Sequence, residues 1–164
     1  MSLLPILGIL AFVLVIVFLL SSVLFGAPYL PTMAVTSAQL FKQVSLPRGS
    51  TFYDLGCGDG RMLQAAREHG YKAVGYETNP MLWLLCKWRF RRDKHTRIKF
   101  GNFLKADLSQ ADLVYVFGVS SVVNKLENNA LKNLPRGSWL VLNGYRLPKR
   151  KPSKAAAGLI YYKF

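Results

Sequence analysis

Thr51–Gly60, TFYDLGCGDG, constrains this chain more than any other stretch. A strand-like run, Thr51-Phe52-Tyr53, feeds Asp54, and glycines follow at alternate positions, Gly56, Gly58 and Gly60. Arg61–Glu68 then carries a helical pattern that Gly70 stops. Strand, glycine turn and helix together open the nucleotide site of a Rossmann-type sheet, where glycine allows close approach of backbone to ligand. A second strand, Lys72–Glu77, ends in a carboxylate seventeen residues beyond Gly60, near the spacing of an acid that grips ribose hydroxyls.

The spacing is G-x-G-x-G, which is not the dinucleotide pattern, and no G-K-[ST] follows for a triphosphate. The flanking acids Asp54 and Asp59 repel a pyrophosphate and suit a cation. S-adenosylmethionine, with a sulfonium, an ammonium and a ribose, fits that charge pattern. Asp54, Gly56, Gly58, Asp59, Gly60 and Glu77 are therefore the expected donor-binding residues. A tight turn in some other α/β domain is the plain alternative.

The expected order after this loop alternates helix and strand. Asn79-Pro80 is an N-cap with proline at the first helical position, and Met81, Leu84, Leu85 and Trp88 are expected to pack on the sheet. Arg97–Gly101 is a third strand, and Asn102 and Phe103 just after it are candidates to contact the adenine. Asp112–Phe117 is a buried fourth strand. A helix with Val123, Leu126, Ala130, Leu131 and Leu134 inward follows, then a fifth strand, Ser138–Tyr145. Leu147–Gly158 is too broken and basic for a crossover helix, so Leu159–Phe164 is expected to return antiparallel beside the fifth strand. The fold class is α/β, Rossmann-like, of the seven-strand type but shortened at the C-terminus.

Met1–Gln39 has no charged side chain, and Ile6–Phe25 is almost purely apolar, twenty residues that span about 30 Å as a helix. No Lys or Arg precedes the run and no clear A-x-A site follows, so a retained transmembrane helix is preferred to a cleaved leader. The expected division is an anchor over 1–27, a linker with a short helix over 28–50, and a donor-binding domain over 51–164. The chain carries a net charge of +14, with all its Lys and Arg after the span. That bias predicts a single-pass protein with its catalytic domain on the cytoplasmic side. Arg89, Arg91, Arg92, Lys94, Arg97 and Lys99 form a basic run that is either a solvated helix end or a surface for anionic lipid. The run lacks the interleaved aromatics of an RNA-binding module. Cys57 and Cys86 have no metal-ligand spacing and are too few for a disulfide framework. His69 and His95 are expected at the surface rather than in catalysis.

With these residues in place the chain resembles a small family of membrane-anchored lysine methyltransferases. Its mitochondrial members act on the c-subunit of ATP synthase and on the adenine nucleotide translocase, and it has prokaryotic relatives. The likeness rests on the apolar N-terminus, Pro28–Thr32, Asp54–Arg61, Gly75–Pro80, Val116-Phe117-Gly118-Val119, Leu126-Glu127 and Leu147-Pro148. Departures are Ser120–Val123, where relatives often have methionines, and Lys149–Pro152, where they often keep an aromatic. The resemblance implies a class I fold, an S-adenosylmethionine-dependent protein-lysine N-methyltransferase, a membrane-embedded protein as acceptor, and Phe117 as a wall of the acceptor channel. Two other functions stay open: methylation of a lipid, quinone or other membrane-associated small molecule, and a non-catalytic membrane adaptor.

Overall fold

A computed structural model of the chain describes residues 3–10, 12–13, 16, 34–117 and 120–164. Its centre is a seven-stranded mixed sheet in the order β3-β2-β1-β4-β5-β7-β6. The strands are β1 (Thr51–Leu55), β2 (Lys72–Glu77), β3 (Thr96–Phe100), β4 (Leu113–Phe117), β5 (Trp139–Asn143), β6 (Lys154–Ala156) and β7 (Leu159–Lys163). β1 to β5 run parallel, whereas β7 is antiparallel to both of its neighbours. The helices are α1 (Ala34–Gln43), α2 (Arg61–Glu68), α3 (Pro80–Arg89) and α4 (Ser120–Asn128).

Alternation along the strands divides the core into two layers. On one face Phe52, Ala73, Leu113, Tyr115, Val141 and Tyr161 pack against α1, α2 and Cys86. On the other, Val114, Val116, Leu140, Leu142 and Tyr162 pack against Val123, Leu126, Ala130, Leu131 and Leu134, the inward set expected from the helical period. Leu40, Phe41 and Val44 are buried, and Phe41 stacks on the exposed ring of His69 at 4.6 Å between centroids. Leu40, Phe41 and Val44 thus hold α1 and its end on the domain, within the 28–50 stretch expected to carry a linker and a short helix.

Helix boundaries follow local chemistry. Gly70 stands just past α2 with φ 82°, and the Tyr71 N–H bonds back to Ala66 C=O at 3.0 Å, closing a Schellman-type end. Asn79 caps α3, its Oδ1 accepting from the N–H groups of Met81 and Leu82 at 2.9 and 3.3 Å.

Three expectations are corrected. Within α3 it is Leu82 and Cys86 that face the core, while Met81, Leu84, Leu85 and Trp88 are exposed. The helix is apolar nearly all round, so its sequence holds two possible inward stripes, and the tighter i, i+4 pair is the one buried. The C-terminal part of the sheet is complete rather than shortened. Lys154–Ala156 forms an extra strand, joined to β5 by a loop without a helix.

The third correction concerns the membrane. Residues 3–10, 12, 13 and 16 are helical, but among the described residues no helix is long and apolar enough to cross a bilayer. The single-pass topology with a cytoplasmic catalytic side is therefore not upheld. The rest of Ile6–Phe25, and the proline link at Pro28–Thr32, lie outside the described residues.

Candidate active site

The loop after β1 folds because its glycines accept a backbone that other residues resist. Gly56, Gly58 and Gly60 have φ of 96°, 54° and 83°. A Cβ at Gly60 would lie 2.7 Å from both Cys86 Sγ and a Phe90 ring carbon, so glycine also lets α3 approach the start of α2. The N–H groups of Gly56 and Cys57 both donate to Tyr76 C=O at 2.9 Å, and the Gly60 N–H donates to Cys57 C=O at 2.8 Å. The Gly58 N–H donates to Glu77 Oε2 at 2.8 Å. The loop is thereby sewn to the end of β2.

Glu77 is the other half of that stitch. Its Oε1 accepts from the N–H groups of Thr78 and Asn79, each at 2.8 Å, so three backbone donors converge on one carboxylate. Charge-assisted bonds of this kind are short and strong, and they hold a buried carboxylate in place. Oε1 has both lone pairs in use, while Oε2 keeps one free. The position suits one strong ribose hydroxyl bond at Oε2.

The two aspartates of the loop have different surroundings. Asp59 is ion-paired with Arg61 at 2.8 Å and with Arg89 at 3.5 Å, and Arg89 also donates to its carbonyl. Its charge is committed to tying α2 to the end of α3. Asp54 is 3% exposed, and burial pushes its carboxyl up to about 8, with the charges of Glu77 and Asp59 adding to the effect. A carboxyl flanked by two carboxylates is poised to ionise when a cation arrives.

Asn102 and Phe103 follow β3 at the same end of the sheet, where the Gly101 N–H donates to Glu77 C=O at 2.9 Å. The Asn102 carboxamide caps a 3-10 turn by accepting from Leu104 N–H, and Phe103 packs on the core. Phe117 is exposed at the end of β4, in register with Asn143 of β5. The Asn143 amide donates to the Tyr115 hydroxyl at 3.1 Å, and Tyr145 is exposed just beyond. Asn143 and Tyr145 did not stand out in the sequence; the available signal was a lone polar residue closing the apolar run Trp139–Leu142. His69 and His95 both lie at the surface, away from the carboxyl ends of the strands.

What can such a site hold? In a pyrophosphate site the loop N–H groups point at the ligand. Here those of Gly56, Cys57, Gly58 and Gly60 are all spent on the protein. A ligand with a ribose and a positive charge, such as S-adenosylmethionine, suits this set of groups.

Comparison with known proteins agrees. The profile of the ANTKMT methyltransferase domain matches residues 54–154. The ATP synthase c-subunit lysine N-methyltransferase of Xenopus laevis is 32% identical over 130 residues, covering 75% of this chain and 57% of the relative. The protein-lysine N-methyltransferase of Saccharolobus islandicus is 29% identical over 132 residues, covering 77% of this chain and 82% of the relative. This chain thus spans little more than half the length of the c-subunit methyltransferases it matches. Among solved structures, an RNA methyltransferase from Salinibacter ruber in complex with S-adenosyl-L-homocysteine superposes with a TM-score of 0.73 at 26% identity, covering 82% of this chain and 92% of that one. A methyltransferase from Geobacter sulfurreducens, also in complex with S-adenosyl-L-homocysteine, shares the fold with a TM-score of 0.61 at 18% identity, covering 74% of this chain and 52% of that one. With its seven-stranded mixed sheet of class I Rossmann-like type, the chain belongs to the ANTKMT methyltransferase domain family.

Proposed function

We propose that the chain is an S-adenosylmethionine-dependent protein-lysine N-methyltransferase whose methyltransferase unit occupies residues 51–164, braced by α1. The observation that carries the donor reading is the loop itself, which spends the N–H groups of Gly56, Cys57 and Gly58 on Tyr76 and Glu77 and that of Gly60 on Cys57, and buries Asp54 with no ion-pair partner among the described residues. The protein-lysine reading comes from relatives named for that activity. When bound, the donor would supply a methyl group to a neutral amine, its S–CH3 bond breaking as the N–C bond forms and the sulfonium leaving as a neutral thioether.

This chain's residues bind and orient. Asp54 and Glu77 hold the donor's charged and ribose ends; Gly56, Gly58 and Gly60 let the backbone approach; Asn102 and Phe103 border the base. Phe117, Asn143 and Tyr145 stand at the neighbouring strand ends, where an acceptor chain can lie. A lysine has a pKa of about 10.4 in water, and aromatic walls that exclude water favour its neutral form. Holding donor and amine at attack distance supplies most of what such a displacement needs.

An acceptor at an anionic membrane surface fits the outer side of the domain. Leu84, Leu85 and Trp88 are exposed on α3, and Arg89, Arg91, Arg92 and Lys94 follow them. Apolar and cationic side chains side by side suit a lipid interface.

The test is transfer of labelled methyl from the donor into native membranes, with protein and lipid then separated. Label recovered as methyllysine in protein is expected. Label confined to lipid or small molecules would replace the acceptor assignment, and no transfer at all would favour a non-catalytic role.

A further inference from the structure

The two faces of the sheet are covered unequally. On one, α2 and α3 lie over β1, β2 and β3. On the other, the connection from β3 to β4 holds only the 3-10 turn Phe103–Lys105, and no described helix covers the same three strands. The uncovered face forms a trough of about 390 Å3, open to solvent and floored by Tyr53 and Val74. It lies toward the amino ends of β1 and β2, at Thr51 and Lys72, the opposite end of the sheet from the donor loop.

The walls are strongly cationic. Lys72, Lys94, Arg97 and Lys99 converge on the trough, with Asp107 as its one carboxylate. Arg97 and Lys99 are in register with Val74 and Tyr76 of β2 and so point to the same face. Lys99 is held in place: its Nζ donates to the Tyr76 hydroxyl at 3.0 Å and lies 5.1 Å from the ring centroid. Among the described residues none of the four takes part in an ion pair; those recorded are Arg61–Asp59, Arg67–Asp93 and Arg89–Asp59. Four like charges around one small concavity repel one another, and a compact multivalent anion relieves that repulsion. Arg97 supplies the planar fork that suits phosphate oxygens, and the lysines supply point charges.

We propose that this trough is a phosphate-ester binding site, separate from the donor site, which takes either a phospholipid headgroup or a soluble phosphorylated molecule. The site does not depend on the donor reading.

Titration of the whole chain with inorganic pyrophosphate tests it, using calorimetry and two paired variants, Arg97→Gln/Lys99→Gln and Lys72→Gln/Lys94→Gln. A tail pair, Lys149→Gln/Lys151→Gln, removes the same charge elsewhere. Saturable binding is expected, weakened about tenfold or more by each trough pair through loss of charge-assisted bonds, and unchanged by the tail pair. Circular dichroism checks that each variant is folded, and the two independent pairs guard against one of them failing. Competition by phosphatidylcholine vesicles containing phosphatidylglycerol, and none by phosphatidylcholine alone, assigns the headgroup. Absence of competition assigns a soluble ester. No saturable pyrophosphate binding, or equal weakening by all three pairs, would overturn the proposal.

Discussion

The two ends of the sheet's functional edge are built in different ways. At β1 and β2 the backbone is bound by charged and special-geometry residues: three glycines at positive φ, a carboxylate receiving three N–H groups, and a buried acid with no ion-pair partner among the described residues. At β5, β6 and β7 ordinary strand pairing and two tyrosines do the holding. Tyr162 is fully buried and its hydroxyl accepts from Leu147 N–H at 2.8 Å, while the hydroxyl of the equally buried Tyr161 has no hydrogen-bond partner among the described residues. On the proposed function each group at the first end serves both fold and ligand, which leaves little tolerance for change. The second has redundancy, and even a defect that a mutation can repair.

Gly60→Val should have the largest effect. It places a β-branched side chain at φ 83° with its Cβ 2.7 Å from Cys86 and Phe90. Left-handed strain and overpacking together cost about 2–5 kcal/mol, read as a fall in the urea midpoint. A variant as stable as wild type would show that α3 yields easily, and that the rigidity claimed for this end is misplaced.

Glu77→Gln comes next. The amide presents N–H groups where the carboxylate accepted them, so at least one of the three backbone donors loses its partner. Loss of a charge-assisted bond is worth about 1.5–3 kcal/mol, so donor affinity should fall about 10- to 100-fold, with protease cleavage of the loop accelerated. Unchanged affinity would remove Glu77 from the site.

Tyr162→Phe and Tyr161→Phe form a matched pair at the other end. The first strands a buried N–H and should cost about 1–3 kcal/mol. The second deletes a hydroxyl that has no hydrogen-bond partner among the described residues and should leave stability unchanged or raised. Equal losses from both, measured by thermal unfolding, would erase the contrast.

The smallest effect is expected at the β6–β7 turn. Ala157 and Gly158 have φ of 52° and 76°, the pattern of a type I′ hairpin in which asparagine is preferred at the first position. Ala157→Asn should therefore stabilise by about 0.5–1 kcal/mol, read as a small rise in the thermal midpoint.

That turn also marks a limit of what the sequence makes legible. The donor loop can be read because its requirements are written in rare residue types: only glycine tolerates three positive φ values in five positions, and an acid closing a strand has few structural uses. The hairpin has the same backbone requirement but meets it with alanine, so Lys154–Ala156 passes for a basic loop. Trp88 is hidden for another reason. It is 64% exposed in a helix apolar on most sides, and periodicity cannot choose a face where every face qualifies. Asp59 belongs to a third kind: its residue type is informative, but its partners Arg61 and Arg89 are a matter of tertiary placement. The apolar run at Ile6–Phe25 suggests a span, whereas among the described residues no helix is long and apolar enough to cross a membrane.

On the proposed function, the β1–β2 end holds a cationic donor against Asp54. In the free protein burial and two neighbouring carboxylates raise that carboxyl to about 8, so it is mostly protonated at pH 7. The unfolded chain ionises it near 3.8. The native state therefore binds the extra proton between these values, and the group costs stability progressively as pH rises from about 4 to about 8. A bound cation favours the ionised form, so donor affinity should climb between about pH 6 and 8. Calorimetry of S-adenosylmethionine binding at about pH 7, in two buffers of different ionisation enthalpy, reads this directly. Wild type should bind the donor with net proton release, Asp54→Asn should bind it more weakly with none, and NAD should not bind. Donor binding without proton release in wild type, at an affinity that Asp54→Asn leaves unchanged, would contradict the account.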